Sequence, residues 1–426
     1  MTWQKTNAEL ARFTDGTPEA LRDGLAALYQ AIADVPESLL QDFALVPETA
    51  ITHGFAKRAA AVAGGTIAVV VTGEPRAEVL DAWQLLRAIE ANLVEFSRHI
   101  ESDRSEDLET AWRTADGQHY VVPRLTALER IDEKPFLRRA LLHYRVLPTA
   151  IGEFVVRLHR SSTVADAKWA AEERAGAHRN YGAAFFPDLK ADLNYPDPQT
   201  FTVVAVSGCD TAECVSKHLA TARAEECYAV VWGELTMPEP TIEAMRAMLA
   251  SSALEGCGPL RYLVAGSWHT EVEGRMRNQC RVLDGYGEPI CEVFKWAKFI
   301  FDHKMEAIEP GNEVHIIVGE YELSVVAICR DFLHAPTDLP YVRLNVDVAL
   351  VPSMIPSIDD RATLTAHAAT ADTMRVRYGT RTLVVAQPAQ AGTVAIGQVL
   401  SFPARPLQEG GELVSDSWKL CALGNH

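Results

Sequence analysis

The chain has 426 residues, too many for one ordinary core, so two or three domains are expected. Its 48% hydrophobic and 23% charged content is that of a water-soluble globular protein. A formal net charge of −17 excludes the basic surface that nucleic-acid or anionic-membrane partners require. Residues 1–200 hold 22 basic and 29 acidic groups against 18 and 28 in the remainder, so neither half is a charged tail.

The polar start, Met1-Thr-Trp-Gln-Lys-Thr-Asn7, lacks the apolar centre of a signal peptide, and the run from Ala59 to Thr72 is too short to span a bilayer. Cytoplasmic location is the expectation. All eight cysteines lie beyond residue 208 and most are read as buried small hydrophobes; the asymmetry supports a domain boundary near residue 200.

Residues 1–184 read as a mainly helical domain of unknown role. Thr17-Pro18-Glu19 caps a helix whose apolar face is Leu21, Leu25, Leu28 and Ile32. Residues 66–72 read as a buried strand or hairpin edge. Pro75 opens a long helix through Trp83, Leu86, Ile89, Leu93 and Phe96, which gives way to a solvated charged stretch at 101–109. Further helical patterns run over 136–144 and 164–177. This half holds no repeat, phosphate loop or metal spacing.

Residues 185–200, with Pro187, Pro196, Pro198, Asn194 and Asp197, read as a linker. Residues 201–426 then alternate strands and helices: strands at 201–206, 229–232, 260–265, 314–318, 320–328 and 347–351, a helix at 212–225, and a hairpin of 280–284 with 290–294.

Four segments place chemistry at strand ends, where a sheet presents side chains to a cleft. They are Trp232-Gly-Glu-Leu235, Phe294-Lys-Trp296, Met305-Glu-Ala-Ile-Glu-Pro-Gly311 and Ala327-Ile-Cys-Arg-Asp331. Each has a plain alternative. Cys329 could be a core thiol, Glu234 a turn cap, Lys295 a solvent-facing hairpin residue and Glu306 a loop carboxylate. Their company and order favour chemistry.

In that order they resemble the carbon–nitrogen hydrolase (nitrilase) superfamily over residues 201–400. Tyr228-Ala-Val-Val-Trp-Gly-Glu234 resembles the strand ending in the first catalytic glutamate. Asn278 with the Gly285–Glu288 turn is similar to the asparagine-bearing strand and its hairpin. Lys295, Glu306 and Val325-Val-Ala-Ile-Cys-Arg-Asp331 fall at the lysine, second-glutamate and nucleophile positions. Asp347-Val-Ala-Leu-Val-Pro-Ser353 resembles the strand two steps on. Gly233 stands where the family usually has proline, and Lys298 rivals Lys295 for the lysine role.

The resemblance implies an α/β fold, a nitrilase-type α-β-β-α sandwich preceded by the helical domain, and hydrolysis of non-peptide C–N bonds. Amides or carbamoyl compounds are expected before nitriles, with acyl transfer to an amine as the same chemistry. Cys329 would be the nucleophile, its pKa depressed enough for selective alkylation, and Glu234 the general base. Lys295 and the backbone N–H of Arg330 would stabilise the oxyanion. Glu306 would orient substrate or Lys295, with Asp331 and Asn278 in support. Trp268 and His269 are placed near the pocket without a role. No cofactor or metal is implied. A homo-oligomer is, and a protein partner through the first domain is open. The competing reading is a catalytically reduced domain acting as a binding or scaffold module. Cys209, Cys214, His218 and Cys227 have metal-like spacing, but the resemblance puts Cys214 and His218 on a surface helix, which makes this a chance cluster.

Overall fold

The computed structural model describes residues 3–100, 107–123, 135–161, 180–252, 260–319, 322–333, 340–358, 361–390, 395–402 and 412–423. The chain forms two compact units. The first comprises residues 1–151, 343–345 and 376–379, and the second holds the rest.

The first unit is mainly helical. Thr17 caps the Pro18–Ala33 helix by accepting the Ala20 N–H at 3.2 Å, and Leu21, Leu25, Leu28 and Ile32 are all buried. They share a core with Trp83, Leu86, Ile89 and Leu93 of the long Pro75–Ile100 helix. Three expectations change here. Residues 66–72 form no strand; Ile67 and Val69 point inward, and Val69 exchanges two 2.8 Å hydrogen bonds with the Asn7 side chain instead of with a sheet. Within 136–144 only Phe136–Arg139 is helical, because buried Glu90 Oε1 accepts the N–H groups of Leu142, His143 and Tyr144 and turns the chain into the Tyr144–Pro148 strand. Residues 107–112 are a capped short helix and its lead-in, not solvated loop. The rest of the charged stretch, 101–106, and the helix expected over 164–177 lie outside the described residues.

The second unit begins at Gly152, not after a linker. Composition misplaced this boundary because Pro and Asn at 187–198 mark turns within the domain. Asn180–Ala184 pairs parallel with Cys227–Trp232, and Phe185 and Phe186 are fully buried. Lys190–Asn194 and Thr200–Ser207 then form an antiparallel hairpin. The segment expected to be the first sheet strand, 201–206, is the outgoing arm of that hairpin and joins a small separate sheet with Lys304–Glu306 and Ile300–Phe301.

Two larger sheets face each other. One runs in the order Trp268–Val272, Arg275–Asp284, Tyr262–Val264, Cys227–Trp232, Asn180–Ala184 and Trp418–Ala422, with Pro289–Phe294 also paired to Arg275–Asp284. The other runs Glu412–Val414, Gly397–Phe402, Arg381–Pro388, Val348–Ile355, Leu323–Val326, Glu313–Val318 and Phe154–Arg160. Alternate residues of the facing strands interdigitate between them, among them Val231, Val282, Val326, Leu350 and Val385. The opposite face of the first sheet, through Val230 and Leu263, packs on Leu219 of helix Thr211–Ala224 and on Met245 and Leu249 of helix Glu239–Ser252. Helix Arg361–Tyr378 is the crossover between the parallel neighbours Val348–Ile355 and Arg381–Pro388. With the inner face filled by the other sheet, this is an α-β-β-α sandwich.

Candidate active site

Glu234 follows the all-buried strand Cys227–Trp232. A side chain at position 233 would meet Gln387 Cβ at 2.6 Å and the Ser353 carbonyl at 3.2 Å, so glycine is required there. The close approach lets the Glu234 N–H donate to the Ser353 carbonyl at 3.2 Å, while Glu234 Oε2 accepts the Met354 N–H at 3.2 Å. Two neighbouring strand ends are thereby locked around one carboxylate.

Lys295 leaves the end of Pro289–Phe294, its N–H donating to the Asn278 carbonyl at 2.9 Å and its carbonyl accepting from Gly311 at 3.0 Å. It is 1% exposed, and its Nζ lies 2.7 Å from Glu234 Oε1 and 2.7 Å from Glu306 Oε2. The Asn278 amide spends both protons on the same pair, at 2.9 Å to Glu234 Oε1 and 2.8 Å to Glu306 Oε1. Glu306 ends the Lys304–Glu306 strand and receives two further donors, the Phe299 N–H at 3.0 Å on Oε2 and His269 Nε2 at 2.9 Å on Oε1. His269 Nδ1 accepts the Val203 N–H at 2.8 Å, which fixes the Nε2–H tautomer.

Burial opposes charge on both Lys295 and Glu306, but mutual attraction outweighs it. Glu234 and Glu306 raise the lysine above its usual range, and Lys295, with His269, holds the Glu306 carboxyl well below the carboxylate range.

Cys329 lies just past the Leu323–Val326 strand, with φ +45°, and opens a 3₁₀ turn through Phe332. A non-glycine residue in that region is held there only by its surroundings. Here the Asp331 carboxyl accepts the N–H groups of Trp296 and Ala297 at 3.1 and 2.7 Å, tying the cysteine turn to the residues just after Lys295. Arg330 donates to the Lys298 carbonyl at 2.8 Å, and its own N–H, in the first turn of the 3₁₀ segment, has no acceptor within that turn. His367 Nε2 lies 3.3 Å from the Cys329 carbonyl. The thiol, 1% exposed, receives the Ser353 hydroxyl at 3.3 Å and points to the Met354 carbonyl at 3.7 Å. The expected pKa depression is reversed. Burial first, and then the Glu234 carboxylate, push the Cys329 thiol up, with Lys295 opposing. Burial likewise raises the Asp331 carboxyl well above its normal range.

A cavity of about 360 Å³ opens on the carboxylate–lysine cluster, with Cys329 behind its lining residues Glu234 and Met354 and not itself part of the lining. Glu234, Lys295 and Glu306 line its floor, and Phe201, Phe299 and Phe301 supply aromatic wall. Lys190 to Leu193, from the segment read as linker, line it too.

The structure therefore brings Glu234, Asn278, Lys295 and Glu306 into one hydrogen-bonded cluster and braces the Cys329–Asp331 turn beside it. Lys298 contributes its backbone carbonyl, which accepts from Arg330. Sequence reasoning left His269 without a role and read Ser353 only as a strand landmark. A histidine four residues past the apolar run ending at Ala265 was the available signal for the first. In the other spacing cluster, Cys209 and Cys214 are half-buried, but His218 is buried rather than on the surface, and its Nδ1 accepts the Trp232 indole N–H at 3.2 Å.

No protein-family model and no curated protein matches the sequence. Solved structures do. An amidase from Nesterenkonia sp. is similar at 14% identity over 62% of this chain and 94% of its own, with a TM-score of 0.42. Nit3 of Saccharomyces cerevisiae, described as a member of branch 10 of the nitrilase superfamily, is similar at 12% identity over 58% and 90%, with a TM-score of 0.42. A glutamine-dependent NAD+ synthetase from Acinetobacter baumannii is similar at 16% over 57% and 45%, with a TM-score of 0.40.

Proposed function

We propose that the second unit hydrolyses non-peptide C–N bonds, of amides or carbamoyl compounds ahead of nitriles, through a thioester on Cys329. The observation that carries this reading is the buried Lys295 ammonium held at 2.7 Å from both Glu234 and Glu306 on the floor of the cavity. Burying one cation between two carboxylates is costly and, for stability alone, weakly rewarded.

The two glutamates differ in what their oxygens already accept. Glu306 takes donors from Lys295, Phe299, Asn278 and His269, so it is saturated and suited to holding Lys295 in place. Glu234 takes Lys295 and Asn278 on Oε1 but only the Met354 N–H on Oε2. That second oxygen is suited to accept a proton, which makes Glu234 the base.

In this scheme the Cys329 thiol turns away from the Met354 carbonyl and attacks the substrate carbon while Glu234 takes its proton. Lys295 and the Arg330 N–H stabilise the oxygen, or the nitrogen of a nitrile, that gains charge. For an amide the C–N bond then breaks, the proton on Glu234 passes to the leaving amine, and the acyl group remains as thioester. Water, deprotonated by Glu234, displaces the thiolate and releases the acid. Because burial raises the resting thiol, attack depends on the base and not on a standing thiolate.

The test is intact mass spectrometry against a panel of amides, carbamoyl compounds and nitriles, with Cys329→Ala as control. An acyl adduct on the wild type alone supports the reading and identifies the substrate class. Hydrolysis retained by Cys329→Ala ends it. The buried thiol, hydrogen-bonded to Ser353, also suits the second reading, a binding module without turnover. Ligand binding with neither adduct nor product would establish that one.

A further inference from the structure

The space between the two large sheets is built of valine, leucine and isoleucine, yet three metal-ligating side chains meet within it. Phe154–Arg160 and Glu313–Val318 pair parallel with His315 opposite Arg157 and Ile317 opposite His159. Residues two apart on a strand share a face, so His159 and His315 are diagonal neighbours on the face that carries Ile317 into the core. Cys291 comes from Pro289–Phe294 in the opposite sheet and belongs to the same core. Two imidazole nitrogens and the thiol all lie within 4.8 Å of one another.

Hydrogen bonding at His315 is incomplete. His159 Nε2 and His315 Nδ1 lie 2.9 Å apart, with the rings stacked at 5.1 Å, and a contact between two imidazoles uses one proton. His315 Nε2 makes no hydrogen bond and faces Glu313 Oε2 at 3.6 Å. His315 is 5% exposed.

We propose that His159, Cys291 and His315 form a binding site for a divalent transition-metal ion of the zinc class. Two imidazoles and one thiolate select a borderline ion over magnesium or calcium, which take oxygen donors. His315 would offer Nδ1, leaving Nε2–H directed at the Glu313 carboxylate, the arrangement that fixes a metal-bound imidazole. His159 would offer Nε2 and Cys291 its sulfur, with water in the fourth position. The proton shared by the two rings moves to an outer ring nitrogen, and the thiol proton is released, so binding liberates one proton. The donors already lie within 4.8 Å of one another, so reaching the roughly 3.3–3.6 Å edges of a tetrahedral site means that the two ring nitrogens, 2.9 Å apart, separate slightly while the longer separations close. Such an ion joins one sheet to the other, and Cys291 lies on the strand that leads into Lys295.

The test uses the full chain, stripped with chelator and titrated with cobalt(II). One equivalent bound with a near-ultraviolet thiolate-to-cobalt charge-transfer band, displaced by zinc, is the expected result. Cys291→Ser should abolish the band, and His159→Gln should weaken cobalt binding by at least about tenfold, with circular dichroism confirming that each variant is folded. Should Cys291→Ser not fold, the wild-type spectrum and His159→Gln decide. No cobalt uptake by the wild type, or uptake without the band, overturns the site. So does a band that survives Cys291→Ser and disappears in the Cys209→Ser, Cys214→Ser double variant.

Discussion

His269 Nε2 donates to Glu306 Oε1 across 2.9 Å, and both side chains are 1% exposed. Its other nitrogen is anchored on the Val203 N–H, so the ring ties the hairpin that lines the cavity to the carboxylate beneath Lys295. His269 is therefore a positioning residue. A buried hydrogen bond to a charged group contributes about 1.5–3 kcal/mol, which corresponds to roughly 10–100-fold in rate. His269→Ala should lower kcat by about that factor while KM changes little, and His269→Gln, whose amide can still donate, should recover part of it. Steady-state kinetics on any substrate found by adduct screening decides; an equal fall in kcat/KM carried wholly by KM would contradict the assignment.

Lys295 and Glu306 also make a statement about stability. The Glu306 carboxyl, held below its ordinary 4.5, stabilises the fold fully above that pH and loses the contribution as pH falls through its lowered value. Lys295, raised above its ordinary 10.5, contributes fully below that pH and loses it only on deprotonation at still higher pH. The pair is thus insensitive to pH between those limits. Lys295→Met leaves two carboxylates buried without their cation and should cost about 3–5 kcal/mol at pH 7. It should also reverse the acid response, because protonating Glu306 now relieves repulsion. Urea melts at pH 5 and 7 should show the variant gaining stability on acidification.

Asp331 braces the Cys329 turn as a hydrogen-bond acceptor. Burial raises its carboxyl, Oδ1 takes the Trp296 and Ala297 N–H groups, and Oδ2 has no partner. Asp331→Asn keeps the accepting oxygen and should change stability by under about 1 kcal/mol, whereas Asp331→Ala leaves two backbone donors unpaired and should cost about 2–4 kcal/mol. Chemical denaturation of the two variants side by side measures the difference; similar losses would mean that the charge matters after all.

Much of this site was legible because it hangs on strand ends. Glu234, Lys295 and Cys329 each follow an apolar run, and the runs are visible as sequence. What was not legible is what folds back over them. Lys190–Asn194 alternates exposed and half-buried residues among prolines and asparagines, which reads as linker until its pairing with Thr200–Ser207 is seen. His269 and Ser353 act through partners 66 and 24 positions away, Val203 and Cys329, and no local pattern encodes such contacts. The Cys329 pKa was misjudged for the same reason. The nucleophile role implied a depressed thiol, but burial and the Glu234 carboxylate, properties of the assembled fold, prevail.

That reversal gives the sharpest separation of roles. Glu234 does two opposed things to Cys329: its charge disfavours a resting thiolate, and its Oε2, which accepts from the Met354 N–H, is the proposed acceptor of the thiol proton. Glu234→Gln removes both at nearly constant volume and frees Lys295 from one of its two anions. The thiol should therefore ionise more readily while losing its catalytic base. Iodoacetamide at pH 8 should label Cys329 faster in Glu234→Gln than in the wild type, with the half-buried Cys209 and Cys214 as internal references, and peptide mapping by mass spectrometry follows each site. Turnover of any substrate should nonetheless be lost. Labelling that is unchanged or slower would mean that Glu234 does not set the thiol's resting state, and retained turnover would remove it as the base.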